Sequence, residues 1–218
     1  MKNLPDNPYK IKVENHDKIM AFEKDFFEIY KGKWNKYFGN NNPVYLEIGT
    51  GMGNFFSKES SRKLDKNFIG IELKYKRLYN TAEKSIELGA KNFILLKTFA
   101  QNIDKIFGKE EIDKIYVYFP DPWGKKDRQK KHRLFQEKFI RDLYEKTKIG
   151  GKLIFKTDHL EYFDTTISLF KEIGLWKINI LSHDYESELE NFETKEMTEF
   201  EHIFRKDRVK VNYVEFEK

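Results

Sequence analysis

From residue 44 onward, short apolar runs alternate with stretches of helical periodicity, and that alternation leaves few folds open to the chain. Residues 44–48, 68–71, 92–96, 115–119 and 153–155 read as strands, being short and rich in β-branched and aromatic side chains. Residues 54–63 read as a helix. Tyr75, Leu78, Tyr79, Ala82 and Ile86 form an apolar stripe that stops at Gly89. A second stripe, Phe135, Phe139 and Leu143, lies in 133–147 and is expected to end at Gly150-Gly151. A third, Leu160, Phe163, Ile167 and Phe170, closes at Gly174. The expected fold class is therefore α/β, a mostly parallel sheet with helices on both faces. Two late strand candidates, about 200–205 and 209–216, flank Lys206-Asp207 and would add a C-terminal antiparallel hairpin. Residues 1–43 read as an N-terminal extension packed on a 44–218 domain. Within them a helix is expected near 17–31, carrying Ile19, Phe22, Phe26, Ile29 and Tyr30.

In a doubly wound sheet, ligands bind beyond the carboxyl ends of the strands, where the strand order reverses. The first strand of the alternating region runs into Glu47-Ile48-Gly49-Thr50-Gly51-Met52-Gly53, whose glycines let backbone approach a ligand closely. A dinucleotide fingerprint needs glycine at 54, and the chain has Asn54. The second strand ends in Glu72, placed to accept hydrogen bonds from both hydroxyls of a ribose. Glu47 can meet the ammonium of an amino-acid moiety, where a pyrophosphate would be repelled. Together these residues fit S-adenosylmethionine better than a nicotinamide dinucleotide, with a tight turn and surface glutamates as the plainer alternative.

The stretch 115–133 adds a second chemistry. Pro120 and Pro122 stop the strand Ile115-Tyr116-Val117-Tyr118-Phe119, and Asp121 is held between them. Trp123 follows, and residues 124–133 then carry six Lys or Arg against one Asp. An acid, an aromatic and a basic arm in that order suit a base held near a carboxylate while phosphates are gripped alongside. A proline turn with a solvated charged loop is the plainer reading.

Net charge is +5, from 41 basic and 36 acidic residues, so a polyanionic partner is plausible without being required. The charge is segregated: residues 186–201 hold seven glutamates and one lysine. Cysteine is absent, which rules out disulfides and thiolate metal sites. His16, His132, His159, His183 and His202 show no metal-ligand spacing, and no metal is expected. With no membrane-length apolar run and no leader-like start, a cytoplasmic protein is expected, monomeric or homodimeric, with no membrane and no obligatory protein partner.

Five motifs occur in one order: YLEIGTGMGNF at 45–55, FIGIE at 68–72, FPDPW with its basic tail, FKTD at 155–158, and Thr198-Glu199-Phe200-Glu201. In this order the chain resembles the bacterial tRNA (guanine-N7-)-methyltransferase family over about residues 44–216. The first motif is common to many methyltransferases; FPDPW with basic residues and the late Thr-x-Phe-Glu are more specific. The resemblance implies a Rossmann-like S-adenosylmethionine-dependent methyltransferase fold and modification of guanine 46 in the tRNA variable loop. It implies that Glu47 and Glu72, with the backbone at Gly49 and Gly51, hold the cofactor, and that Asp121 sits where cofactor and guanine meet. Lys125, Asp158, Thr198 and Glu201 would contact the substrate. Lys126, Arg128, Lys130, Lys131 and Arg133 would bind RNA. Asp158 as a helix cap, and Thr198 and Glu201 as strand-edge residues, are the structural alternatives. Two departures stand out. Where the family often carries an acid, Phe99 precedes Ala100, so the adenine contact falls to backbone around Ala100, to Gln101 or Asn102, or to packing. Gly124 and Asp127 interrupt the basic loop.

Guanine N7 carries a free lone pair and no proton to lose, so its alkylation needs alignment rather than a general base. Carboxylates suit the cation that develops on the purine. Three other readings stay open at this level: methylation of another nucleic-acid base, a nicotinamide oxidoreductase, and a non-enzymatic RNA-binding module.

Overall fold

A computed structural model describes residues 7–21, 29–124, 127–188 and 198–218, with the side chains of Glu199, His202 and Arg205 left aside. Chain order is α1 (Pro8–Glu14), β1 (Ile19–Ala21), α2 (Trp34–Phe38), β2 (Val44–Ile48), α3 (Asn54–Arg62), β3 (Asn67–Ile71) and α4 (Tyr75–Glu87). Then come β4 (Phe93–Lys97), α5 (Ile103–Ile106), β5 (Ile112–Tyr118), α6 (Glu137–Lys146), β6 (Thr147–Thr157), α7 (Leu160–Ile173) and β7 (Lys177–Ser182). The short α8 (Tyr185–Glu188), α9 (Glu199–Lys206) and β8 (Asn212–Glu217) complete it.

The strands form one sheet in the order β1-β4-β3-β2-β5-β6-β8-β7. Pairing is parallel from β1 through β6, and β8 runs antiparallel to both β6 and β7. From β2 the chain winds outward through β3 and β4, then returns to lay β5 on the other side of β2. The order therefore reverses between β2 and β5, which fixes where a ligand crevice opens. Alternate residues of each central strand go to opposite faces of the sheet, and on one of them Tyr116, Tyr118 and Ile154 cluster with Phe55 and Tyr213. Leu46, Ile48, Ile69, Ile71, Ile115 and Val117 join a core on the other face. Phe68, Phe93 and Leu95 join a third cluster, under α3 and α4. Burial on both faces is why these strands read as nearly continuous apolar runs.

Three expectations need correction. Residues 19–21 are a strand, not the start of a helix: Ile19, Met20 and Ala21 pair with Leu95, Leu96 and Lys97. The free edge of β4 offers that stretch a hydrogen-bonded ladder, and the centre of the expected helix lies outside the described residues. Trp34, fully buried, gives its indole N–H to the Ile106 carbonyl at 3.0 Å, so residues before 44 enter the core. Gly150-Gly151 do not end a helix. α6 stops at Lys146, and the glycines sit in β6 where pairing with β5 skips from Ile112↔Thr147 to Lys114↔Lys152. A Cβ on Gly151 would stand 2.6 Å from Thr147 Cγ2, so the bulge requires that residue to lack one.

The antiparallel edge exists, but β7 and β8 form it, not 200–205 with 209–216. Residues 199–206 are helical because Thr198 and Glu201 make a reciprocal capping box. Glu201 N–H donates to Thr198 Oγ1 at 3.1 Å, and Thr198 N–H donates to a Glu201 carboxylate oxygen at 3.0 Å.

Candidate cofactor and substrate site

The turn after β2 is built by glycines in left-handed conformations: Gly49, Gly51 and Gly53 have φ of 82°, 55° and 77°. Gly53 has a second reason to be glycine, since a Cβ there would lie 2.3 Å from Thr81 Oγ1 on α4. The turn is fastened to the end of β3. Gly49 N–H and Thr50 N–H both donate to the Ile71 carbonyl, at 2.8 and 3.2 Å, and Gly51 N–H donates to Glu72 Oε2 at 3.1 Å.

The two strand-end acids differ in state. Glu72 is nearly buried, and its Oε1 accepts from Leu73 N–H (2.8 Å) and Lys74 N–H (2.9 Å), with Arg77 3.9 Å from Oε2. Each carboxylate oxygen can accept two hydrogen bonds, so Oε2 keeps capacity beside Gly51 for a hydroxyl donor. Glu47 is 3 % exposed, and its Oε2 has no hydrogen-bond partner among the described residues. Burial, and then the carboxylates of Glu59 and Glu72, hold its pKa well above the usual value. A buried, orphaned carboxyl is costly without a partner. A ligand ammonium supplies what this one lacks, so the residues present fit S-adenosylmethionine. Beyond β4, Ala100 opens a short 3-10 turn and is nearly buried, Gln101 is exposed, and Phe99 is 61 % exposed.

Across the switch point, β5 ends at Tyr118 and the backbone turns sharply. Phe119 and Trp123, which bracket Asp121, both have positive φ, 49° and 44°, uncommon for bulky residues. Such strain persists only where the surroundings over-determine it, and here three contacts do so. Phe119 N–H donates to the Lys156 carbonyl at 2.9 Å. The Pro122 carbonyl accepts from Arg133 Nε at 2.8 Å. Gly124 approaches His159 so closely that a Cβ would stand 2.9 Å from Nε2. Asp121 itself is exposed, with no hydrogen bond or ion pair among the described residues.

The basic run divides. Arg133 is 6 % exposed and does not face solvent. Besides Pro122 it donates from Nη1 to Thr165 Oγ1 at 3.0 Å and to Glu161, pairs through Nη2 with the same carboxylate, and lies 4.7 Å from the Tyr162 ring centroid. Arg133, and then Lys130, hold Glu161 down to about 2. The lowered pKa means that this pairing is present above the ordinary carboxylate range and lost only as pH falls towards about 2. Lys130 reaches both Asp127 and Glu161 at 3.0 Å. Arg128 and Lys131 are exposed, and Lys125 and Lys126 lie outside the described residues.

Asp158 is exposed at the end of β6, beside the end of β5. It is not the cap of α7: His159 Nδ1 accepts from Tyr162 N–H at 3.2 Å and fills that role. Thr198 and Glu201, by contrast, are 9 % and 1 % exposed, and Glu201 Oε1 accepts from the buried Lys156 Nζ at 2.8 Å. Sequence reasoning passes over Lys156, although it alternates with Ile154 along β6 and so falls on an inward position. No group of three or more His, Asp or Glu among the described residues is placed to hold a metal. No helix among them is long and apolar enough to cross a membrane.

The comparisons with known proteins agree with this geometry. Residues 41–213 match a family model described as "Putative methyltransferase". The chain is 38% identical over 192 residues to the tRNA (guanine-N(7)-)-methyltransferase of Bacillus subtilis, covering 88% of this chain and 86% of that one. It is 34% identical over 213 residues to a bifunctional glycosyltransferase/methyltransferase of Fusobacterium nucleatum, covering 97% of this chain but only 33% of that longer protein. Among solved structures, the 16S rRNA methyltransferase KamB superposes with a TM-score of 0.59 at 13% identity, over 85% of this chain and 92% of that one, a likeness of fold. A glycine turn fastened to Glu72, an orphaned Glu47 and a clamped Pro-Asp-Pro turn thus occur in a chain that belongs to the tRNA (guanine-N(7)-)-methyltransferase family.

Proposed function

We propose that the protein transfers a methyl group from S-adenosylmethionine to N7 of guanine 46 in the tRNA variable loop. The observation that carries this reading is the position of Asp121: exposed, on a turn clamped at three points, across the switch point from the orphaned Glu47. When bound, the cofactor supplies an electrophilic methyl group on a sulfonium. Glu47 would receive its ammonium, Glu72 a ribose hydroxyl through Oε2, and the backbone around Ala100 and Gln101 its adenine.

Asp121 would accept from guanine N1–H and the exocyclic amine, a pattern that adenine cannot reproduce, and so hold N7 in line with the methyl. N7 gives its lone pair and no proton moves. The positive charge passes to the purine, where the carboxylates of Asp121 and Asp158 favour it. Lys125, Lys126, Arg128, Lys130 and Lys131 are suited to phosphate, and a tRNA substrate agrees with a cytoplasmic location. Incubation with unmodified tRNA and labelled cofactor, followed by mapping of the modified base, tests the reading. A single 7-methylguanine at position 46 is expected; label on another base, or none, sinks it.

A further inference from the structure

Lys156 stands at the centre of a buried cluster that the steps above do not use. Its cross-strand neighbours are Tyr118 on β5 and Tyr213 on β8. Its ammonium is fully buried, 2.8 Å from Glu201 Oε1 and 4.1, 4.9 and 5.9 Å from the ring centroids of Tyr185, Tyr118 and Tyr213. A lysine is retained in such surroundings only when paired, and aromatic faces add to the pairing. Glu201 is equally committed, one oxygen on Lys156 and the other on Thr198 N–H. Each Glu201 oxygen therefore already accepts one hydrogen bond from within the protein. What the pair does is fasten α9 to the sheet, and α9 sets Phe200 and Phe204 at 6.0 and 5.3 Å from Phe119. Phe119 is also the residue whose N–H donates to the carbonyl of Lys156. One residue thus holds both sides of the joint, the root of the Asp121 turn by its backbone and α9 by its side chain.

We propose that Lys156 is a positioning residue for methyl transfer, setting α9 and the Asp121 turn in fixed relation through its buried pair with Glu201. The proposal rests on the function proposed above. Three variants of the full chain test it: Lys156→Met, Glu201→Gln and the double. The readouts are hydrogen exchange of the α9 amides, cofactor affinity, and single-turnover transfer to saturating tRNA. In each variant α9 exchange should quicken about tenfold or more while the sheet stays protected. Transfer should slow by about tenfold or more, with cofactor affinity within about twofold. The double should be no worse than either single, because both remove the same interaction.

Wild-type α9 protection in folded Lys156→Met, or wild-type transfer, overturns the proposal. So does a transfer defect confined to Glu201→Gln, which would make Glu201 a direct contact. If all three variants lose sheet protection and cofactor binding together, the pair is a core element and the positioning role is wrong. A wild type inert on unmodified tRNA sinks the functional reading but not the pinning of α9, which the exchange experiment decides separately.

Discussion

Arg133 Nε donates to the carbonyl of Pro122 at 2.8 Å, so a buried arginine at the end of the basic run holds the turn that carries Asp121. Its remaining donors go to Glu161 and Thr165. A guanidinium can serve a carbonyl, a hydroxyl and both oxygens of a carboxylate because its donors are spread over three nitrogens in one plane; an ammonium has three donors on a single atom and cannot reproduce that spread. Arg133→Lys keeps the charge and should leave tRNA affinity and its salt dependence unchanged. Turnover should nonetheless fall about tenfold or more, since misplacement by a fraction of an ångström is costly in transfer. A loss of tRNA binding with intact turnover at saturation would return Arg133 to the phosphate-gripping set.

Arg128 and Lys131 are the exposed described cations of the arm. Replacing both with Ala should raise the tRNA dissociation constant and flatten its salt dependence, by up to about 0.9 in slope for each duplex phosphate no longer neutralised. Cofactor affinity should not move. Titrations over a range of salt concentrations check this, and an unchanged slope would make the arm a solvated loop.

The difference between Arg133 and its neighbours marks where the sequence stops being legible. The parallel strands β2 to β5 read from sequence within a few residues, because burial on both faces makes them dense apolar runs. The glycine turn, Glu47 and Glu72 are legible for a related reason: strand ends and positive φ leave local marks. Arg133 looks like any other cation of its run, since its partner Glu161 lies 28 residues away. Lys156 and Glu201 are 45 residues apart. Phe200, Ile203 and Phe204 fit a short strand as readily as a helix, and the Thr198–Glu201 box that decides between them is read in the family only as a substrate motif. β7 is missed because at the sheet edge its burial merely alternates, leaving no apolar run.

On the proposed reading, Glu47 should give cofactor binding a pH dependence. Its pKa is raised well above 4.5 by burial and by Glu59 and Glu72. The ligand-free fold therefore binds a proton that the unfolded chain releases. Stability from this group is fully present below the unfolded value and is lost as pH rises through the raised folded value. Binding of a ligand ammonium favours the ionised carboxyl, so cofactor binding should release a proton and tighten with rising pH across the same window. Calorimetry in buffers of different ionisation enthalpy measures that proton. Glu47→Gln should bind weakly and without proton release; release at the wild-type level in this variant would place the titrating group elsewhere.

Glu72 should respond differently, because its carboxylate is already bonded to three backbone N–H groups. Glu72→Ala removes the acceptor for Gly51, Leu73 and Lys74 N–H as well as the expected ribose contact. Cofactor binding should weaken by about 1.5–3 kcal/mol, the scale of hydrogen bonds to a charged group. Glu72→Gln, which keeps one acceptor oxygen, should lose less. Equal cofactor affinity in wild type and a folded Glu72→Ala would remove this residue from the site.

Asp121 is the residue on which the proposed chemistry depends most. It lies past the end of β5, between two prolines and between two residues held at positive φ. No hydrogen bond or ion pair to a described residue occupies its carboxylate, and it is exposed. Its removal therefore leaves no described partner stranded, and Asp121→Asn should change stability by no more than about 0.5 kcal/mol. The substitution keeps the size and one acceptor, removes the charge, and turns an N–H donor towards guanine's own donors. Both effects oppose transfer: the base is held less well, and the cation forming on the purine loses its nearest counter-charge. Turnover should fall on the order of 10²-fold, comparable to removing one preorganised electrostatic interaction. Affinity for tRNA should change far less, because phosphate contacts supply most of it. Single-turnover transfer at saturating tRNA and cofactor, with binding measured separately, distinguishes the two. Near-normal transfer would reduce Asp121 to a turn residue and move the chemistry to Asp158.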